Sequence, residues 1–131
     1  MLIVPQADSI TQPYWDGVAL RQVRLQHCNE CTYAWHPPTP ICPNCHSIHH
    51  TWRQITGGGS LYSFTVAHHP VHPAVTDKVP YLIALVNLDE GPRVVSSLRD
   101  CEPLAAYIGM RLTLIFEEIA PGVLLPQFRP V

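Results

Sequence analysis

The sequence predicts a mainly β protein with short helices: an N-terminal helix, a rubredoxin-like zinc ribbon and a C-terminal five-stranded OB-fold barrel. Three observations carry this. Four cysteines stand in two like-spaced pairs, Cys28-Asn29-Glu30-Cys31 and Cys42-Pro43-Asn44-Cys45. After Gly57-Gly58-Gly59 the apolar residues alternate at period two. Of fourteen prolines in 131 residues, ten gather at 37–43, 70–80 and 121–130, where they remove amide donors and fix φ, so long helices are excluded almost everywhere.

The leading segment, 1–23, holds Tyr14, Trp15, Val18, Ala19 and Leu20 at close to a helical period, with Thr11 as N-cap and Pro13 in the first turn. This predicts a short helix within 11–24. The next segment, 24–56, is the ribbon. Two residues between cysteines let both thiolates reach one ion from a tight turn, and two such turns supply a tetrahedral S4 shell from Cys28, Cys31, Cys42 and Cys45. So small a unit draws its folding energy from metal. Disulfides would require an oxidising compartment, and Met1-Leu-Ile-Val-Pro-Gln6 has neither the basic nor the long apolar region of a secretion signal. A thioredoxin-like redox pair would present one motif, not two. Iron in a rubredoxin-like electron carrier is chemically allowed, but Thr32 and His46 follow the pairs where redox rubredoxins generally carry glycine. Zinc is therefore the expected metal.

The last segment, 57–131, reads as the barrel. Tyr62, Phe64 and Val66 are expected on one face of a first strand, opposite Ser63 and Thr65. Tyr81 to Leu88 is apolar on both faces, which suits a central strand or one with a side covered by a partner. Asp89-Glu90-Gly91-Pro92 reads as a turn before a third strand, Arg93 to Leu98. Leu104, Ala105, Ala106, Tyr107 and Ile108 between Asp100 and Gly109 predict a helix. A strand from Met110 to Glu117 and another from Val123 to about Phe128 complete three strands, helix, two strands, the OB arrangement. Gly57-Gly58-Gly59 has no P-loop lysine or following helix and reads as a hinge or a bulge.

Composition narrows the function. The formal net charge is −2, with one lysine and seven arginines against ten carboxylates, a poor balance for phosphate neutralisation on nucleic acid. The longest apolar run falls well short of the roughly 20 residues that cross a bilayer, so a cytoplasmic protein is expected. His46, His49 and His50 follow the second cysteine pair, but four thiolates already close a tetrahedral shell, leaving these rings to solvent or hydrogen bonds. Cys101 lacks a partner cysteine, base or oxyanion group and reads as a small hydrophobe.

The residues Tyr14-Trp15-Asp16-Gly17, the cysteine pairs around Pro37-Pro38, Gly57 to Thr65, Pro80 to Gly91 and Ile108-Gly-Met110 together resemble an acyl-CoA-associated family that joins a rubredoxin-like zinc ribbon to an OB-fold, catalogued as domain-of-unknown-function thirty-five. The resemblance spans nearly the whole chain. It implies a non-catalytic accessory subunit, in a hetero-oligomer with a thiolase-like, lipid-transfer-protein-like or hydratase-like enzyme, that helps hold an acyl-CoA or acyl thioester. The connection 68–80 is long for a compact barrel and stiffened by prolines, which makes His68, His69, His72 and Lys78 the candidate partner or ligand residues. CoA phosphates, if held by this chain, would fall to Arg53, Lys78, Arg93 or Arg99. The alternatives are a single-strand nucleic-acid binder stacking bases on Tyr62, Phe64 or Tyr81 and the rubredoxin-like carrier. A stand-alone hydrolase would need an open zinc position that four cysteines remove.

Overall fold

The structure, a computed structural model, describes residues 4–131. The first three residues of the expected 1–23 segment lie outside it. Helix α1 runs Gln12–Ala19, with Pro13 in its first turn. Thr11 holds the N-cap position, but its side chain caps nothing there. Asp8 does this work instead: its Oδ1 accepts from the Ile10 and Thr11 amides at 3.0 and 2.8 Å. Those bonds hold the Asp8 carboxyl below its usual range, the Thr11 amide contributing most. The helix ends sooner than its apolar spacing suggests because Arg21 takes φ 60 and turns the chain into the first strand.

Three short strands form the ribbon sheet: β1 Arg24–Cys28, β2 Ala34–Trp35 and β3 His50–Gln54, in the order β2-β1-β3 and all antiparallel. Five longer strands form a closed barrel: β4 Gly58–Ala67, β5 Tyr81–Leu88, β6 Arg93–Leu98, β7 Arg111–Ala120 and β8 Val123–Pro130. Their order, β4-β5-β6-β8-β7 with β7 pairing back to β4, is the expected five-stranded OB arrangement. β6 and β8 meet in parallel through a single register pair, Leu98 with Phe128.

Two local expectations are corrected. No α-helix forms between β6 and β7; the chain makes only a 3-10 turn at Pro103–Ala105, after which Ala106 is extended. A helix rises only about 1.5 Å per residue, whereas this segment must cross the barrel end and reach Leu61, whose carbonyl accepts the Gly109 amide at 2.7 Å. Cys101 and Ala106 pack on the core, while Leu104, Tyr107 and Ile108 stay exposed. The second correction is in β4. The register slips between Leu61 and Ser63, so Tyr62 is the extra residue of a bulge and projects outward while Leu61 and Phe64 pack on the core. Arg93 then covers the Tyr62 ring, its guanidinium carbon 3.8 Å from the centroid.

The core is continuous across both sheets. Leu61, Leu82, Val86, Leu112 and Phe128 fill the barrel, and Val23, Leu25 and Ile55 from the base of the ribbon join the same cluster. The glycine run is accordingly no flexible hinge. Gly58 and Gly59 are ladder residues of β4, paired to β7, and Gly59 is paired to β5 as well. The β5–β6 turn also clamps this junction: Glu90 Oε2 accepts the Thr56 amide at 2.9 Å, and Asp89 makes a two-pronged pair with Arg111 at 2.9 and 3.0 Å.

Candidate metal centre

Each cysteine pair folds into the same knuckle. The carbonyl of the first cysteine accepts the amide four residues on, Thr32 N to Cys28 O at 3.1 Å and His46 N to Cys42 O at 2.9 Å. Closing that turn requires left-handed backbone after the second cysteine, and Thr32 and His46 both stand at φ 67. Here the sequence lacks glycine but the geometry is the one glycine would relax. The Glu30 and Cys31 amides point at Cys28 Sγ and the Asn44 amide at Cys42 Sγ, each at 3.4 Å.

The two knuckles face each other, bringing Cys28, Cys31, Cys42 and Cys45 together with all four sulfurs within 4.8 Å of one another. Cys28 and Cys45 are 3.5 Å apart and Cys31 and Cys42 3.6 Å. An ion about 2.3 Å from each of four tetrahedral sulfurs sets them about 3.8 Å apart. The donor set therefore fits a closed S4 site. Its electrostatics agree: the Asn44 carboxamide, donating to Cys31 Sγ at 3.4 Å, leads the causes that hold that thiol down to about 6. Cys45 stands at about 12. The Ser47 amide pulls it down, while the crowded Cys28, Cys31 and Cys42 sulfurs, with burial, push it up. Four thiols this close cannot all ionise without a cation among them.

A buried glutamine fastens the proline-rich loop between the knuckles. Gln26, 2% exposed, donates Nε2 to Thr39 O at 2.8 Å and accepts the Thr39 amide on Oε1 at 2.9 Å. Its polar character gave no hint of this in the sequence, where only its place in a strand opposite a proline loop could have signalled it. His50 contacts the same Gln26 Nε2 at 3.2 Å, and His46 and His49 are exposed.

The candidate loop residues are not brought together. His68, His69, His72 and Lys78 are all exposed, and the cysteine set is the metal-capable cluster found among the described residues. His72 Nδ1 accepts the Ala74 amide at 3.0 Å, which caps a 3-10 turn at Pro73–Val75. The aromatic residues considered for base stacking are split, Tyr62 outward beneath Arg93 and Phe64 against the core. Arg93 is further tied to Asn87 Oδ1 and Arg99 to Glu117, each at 2.9 Å or less. Cys101 is half-buried, and that burial, ahead of Glu102, pushes its thiol up, away from a nucleophile's state. Among the described residues no helix is long and apolar enough to cross a membrane.

A family profile described as "ChsH2, C-terminal OB-fold domain" matches residues 52–117. A "Probable enoyl-CoA hydratase alpha subunit" of Thermomonospora curvata is 40% identical over 117 residues, 89% of this chain but 36% of that protein. A "DUF35 domain-containing scaffold protein" of Pyrococcus furiosus is 35% identical over 101 residues, 72% of this chain and 74% of that one. Among solved structures, a chain of an "Ltp2-ChsH2(DUF35) aldolase" superposes with a TM-score of 0.88 at 38% identity, covering 96% of this chain and 98% of that one.

Proposed function

Because the chain belongs to the DUF35 family, we propose that it is a non-catalytic accessory subunit that docks on a hydratase-like, thiolase-like or lipid-transfer-protein-like enzyme and helps hold its acyl-CoA substrate. The observation that carries this reading is the near-complete structural match to a DUF35 chain described together with a second protein as an aldolase. The chain spans about a third of the hydratase alpha subunit it resembles, so the enzyme's chemistry is assigned to the partner.

The site geometry supports the same division of labour. Cys28, Cys31, Cys42 and Cys45 would hold a zinc ion, which supplies folding energy to the ribbon and no open coordination position for substrate. The ribbon, 24–56, then braces the barrel, 57–131, through their common core. The 68–80 connection, with His68, His69, His72 and Lys78 exposed, is the docking element, and the exposed Leu104, Tyr107 and Ile108 offer apolar area of the kind interfaces bury.

The test is capture of partners from the native host by the tagged, metal-loaded chain. Recovery of a hydratase-, thiolase- or lipid-transfer-like enzyme is expected, and it should be lost when 69–78 is replaced by a Gly/Ser linker. Enzymatic turnover of acyl-CoA by the chain alone, or recovery of single-stranded nucleic acid that dissociates steeply with salt, would overturn the reading.

A further inference from the structure

Between helix α1, the ribbon's proline loop and the barrel wall, the described residues form a concavity whose chemistry points to a ligand. It lies between α1, the Pro37-Pro38 loop and the outer faces of β5, β6 and β8, with a volume of about 520 Å³, within the range of small-molecule sites. Trp15 and Pro38 stand on one side, Ile83, Val95 and Leu125 on the other. Val95 is 73% exposed, an outward apolar side chain that the described residues leave largely uncovered. Gln127 lines the groove although it is only 2% exposed. Its Oε1 is engaged by the Ser97 amide and Ser96 hydroxyl, whereas its Nε2 has no hydrogen-bond partner among the described residues.

We propose that this groove binds the pantetheine arm of the CoA thioester. The proposal rests on the accessory-subunit reading above. No residue lining the groove carries a formal charge, and burial holds the one lining imidazole, His36, toward its neutral form. Such a slot gives nothing to a diphosphate and penalises a desolvated charge. It suits a neutral, extended chain whose methylenes lie on Trp15, Ile83 and Leu125 and whose amide carbonyl accepts from Gln127 Nε2. That hydrogen bond would pair a groove-lining donor for which no described residue supplies an acceptor. The phosphates and nucleotide then lie beyond the groove, on the partner or in solvent.

The test is amide and indole NMR of the full, zinc-loaded chain titrated with pantetheine, butyryl-CoA and adenosine 3′,5′-bisphosphate. Pantetheine and butyryl-CoA should both shift the Trp15 indole N–H and the Gln127 side-chain amide, and the nucleotide alone should not. Val95→Arg, which places a charge on the rim, should weaken pantetheine binding by about tenfold or more, equivalent to about 1.4 kcal/mol, with the rest of the spectrum unchanged. Val131→Arg, the same charge on an exposed residue off the groove, should leave it intact. The inference is overturned if millimolar pantetheine moves neither resonance, if the nucleotide alone moves both, or if Val95→Arg binds like wild type. It is also overturned if Val95→Arg abolishes partner capture while pantetheine never binds, since the groove would then be a protein-docking face. Wild-type capture of an enzyme partner without any pantetheine shift would sink the groove and leave the accessory reading standing.

Discussion

Gln127 Oε1 accepts the backbone amide of Ser97 at 3.1 Å, and this side chain closes the barrel where its ladder is thinnest. β6 and β8 are in register at one pair only. A parallel seam that short leaves amides facing a gap, and the carboxamide oxygen takes one of them as well as the Ser96 hydroxyl at 3.3 Å. The residue is thus a substitute for ladder hydrogen bonds in a position where a strand alternation would have predicted a solvent-facing polar group.

Gln127→Leu should therefore destabilise the fold by about 1–3 kcal/mol, because it keeps the volume but strands the Ser97 amide without an acceptor. Ser96→Ala should cost less, since Gln127 Oε1, one of the two acceptors its hydroxyl reaches, still receives the Ser97 amide. Urea unfolding checks the order, and hydrogen exchange at Ser97 should accelerate in the first variant only.

The parts of the fold that were legible in the sequence are those set by local chemistry. Cysteine spacing located the four-sulfur cluster because two intervening residues are what one knuckle needs, period-two alternation located β4 and β7 because one face must enter a core, and the run apolar on both faces located β5. What stayed hidden is decided by contacts distant in sequence. Leu104, Tyr107 and Ile108 have helical spacing, yet the chain leaves a single 3-10 turn extended at Ala106 and ties the Gly109 amide to Leu61 O, a contact distant in sequence. Tyr62 looked like a core residue until the bulge after Leu61 turned it outward. Asp8, three residues before Thr11, took the capping role because its carboxylate reaches two amides that the Thr11 side chain does not. Gln26 and Gln127 were invisible for a common reason: a glutamine's value as a backbone clamp depends on which amide lies opposite it.

The knuckle residues yield a second prediction. Thr32 and His46 occupy left-handed backbone at φ 67, which costs an L-residue roughly 1–2 kcal/mol relative to glycine and is least tolerable for a β-branched side chain. Thr32→Gly and His46→Gly should each tighten metal binding several-fold, measured by competition with a chelator, and the gain should be larger for Thr32. Equal or weaker retention in both variants would show that the Thr32 or His46 side chain contributes something to the knuckle beyond its backbone.

The glycine run makes a third. A Cβ on Gly59 would sit 2.7 Å from Asn87 O and 2.8 Å from Val86 Cγ1, a backbone atom and a core methyl that cannot withdraw. On Gly58 it would instead meet the Asp89 carboxylate and Arg111 Nη2, both ends of exposed side chains. Gly59→Ala should therefore cost about 1–3 kcal/mol as overpacking, with Gly58→Ala milder because Asp89 can swing away. That relief breaks the Asp89–Arg111 pair, so Asp89→Asn should lower Tm in wild type and have little further effect in the Gly58→Ala background. The Arg111 hydrogen bond also holds the Asp89 carboxyl below its usual range. Its contribution is complete above about pH 4, the ordinary carboxylate value, and fades as pH falls through the lowered one. The difference in Tm between wild type and Asp89→Asn should shrink accordingly in acid.

Tyr14 supplies a prediction at the opposite end of the pH scale. Its ring packs against the core and beside His36, with centroids 5.3 Å apart, and burial pushes its phenol up to about 12. In the unfolded chain the same phenol ionises near 10. Below that pH both states keep the proton, and the group adds no pH dependence. Between about 10 and 12 only the unfolded state releases it, so folding stability must fall as pH rises, by roughly 1 kcal/mol per unit across that window. Tyr14→Phe keeps the ring and removes the proton. Urea unfolding of the two proteins from pH 9 to 11 should show the wild type losing stability faster, with the gap opening only above pH 10. Parallel slopes would mean that the phenol reaches water and that α1 does not seal against the barrel and the ribbon loop as the geometry requires.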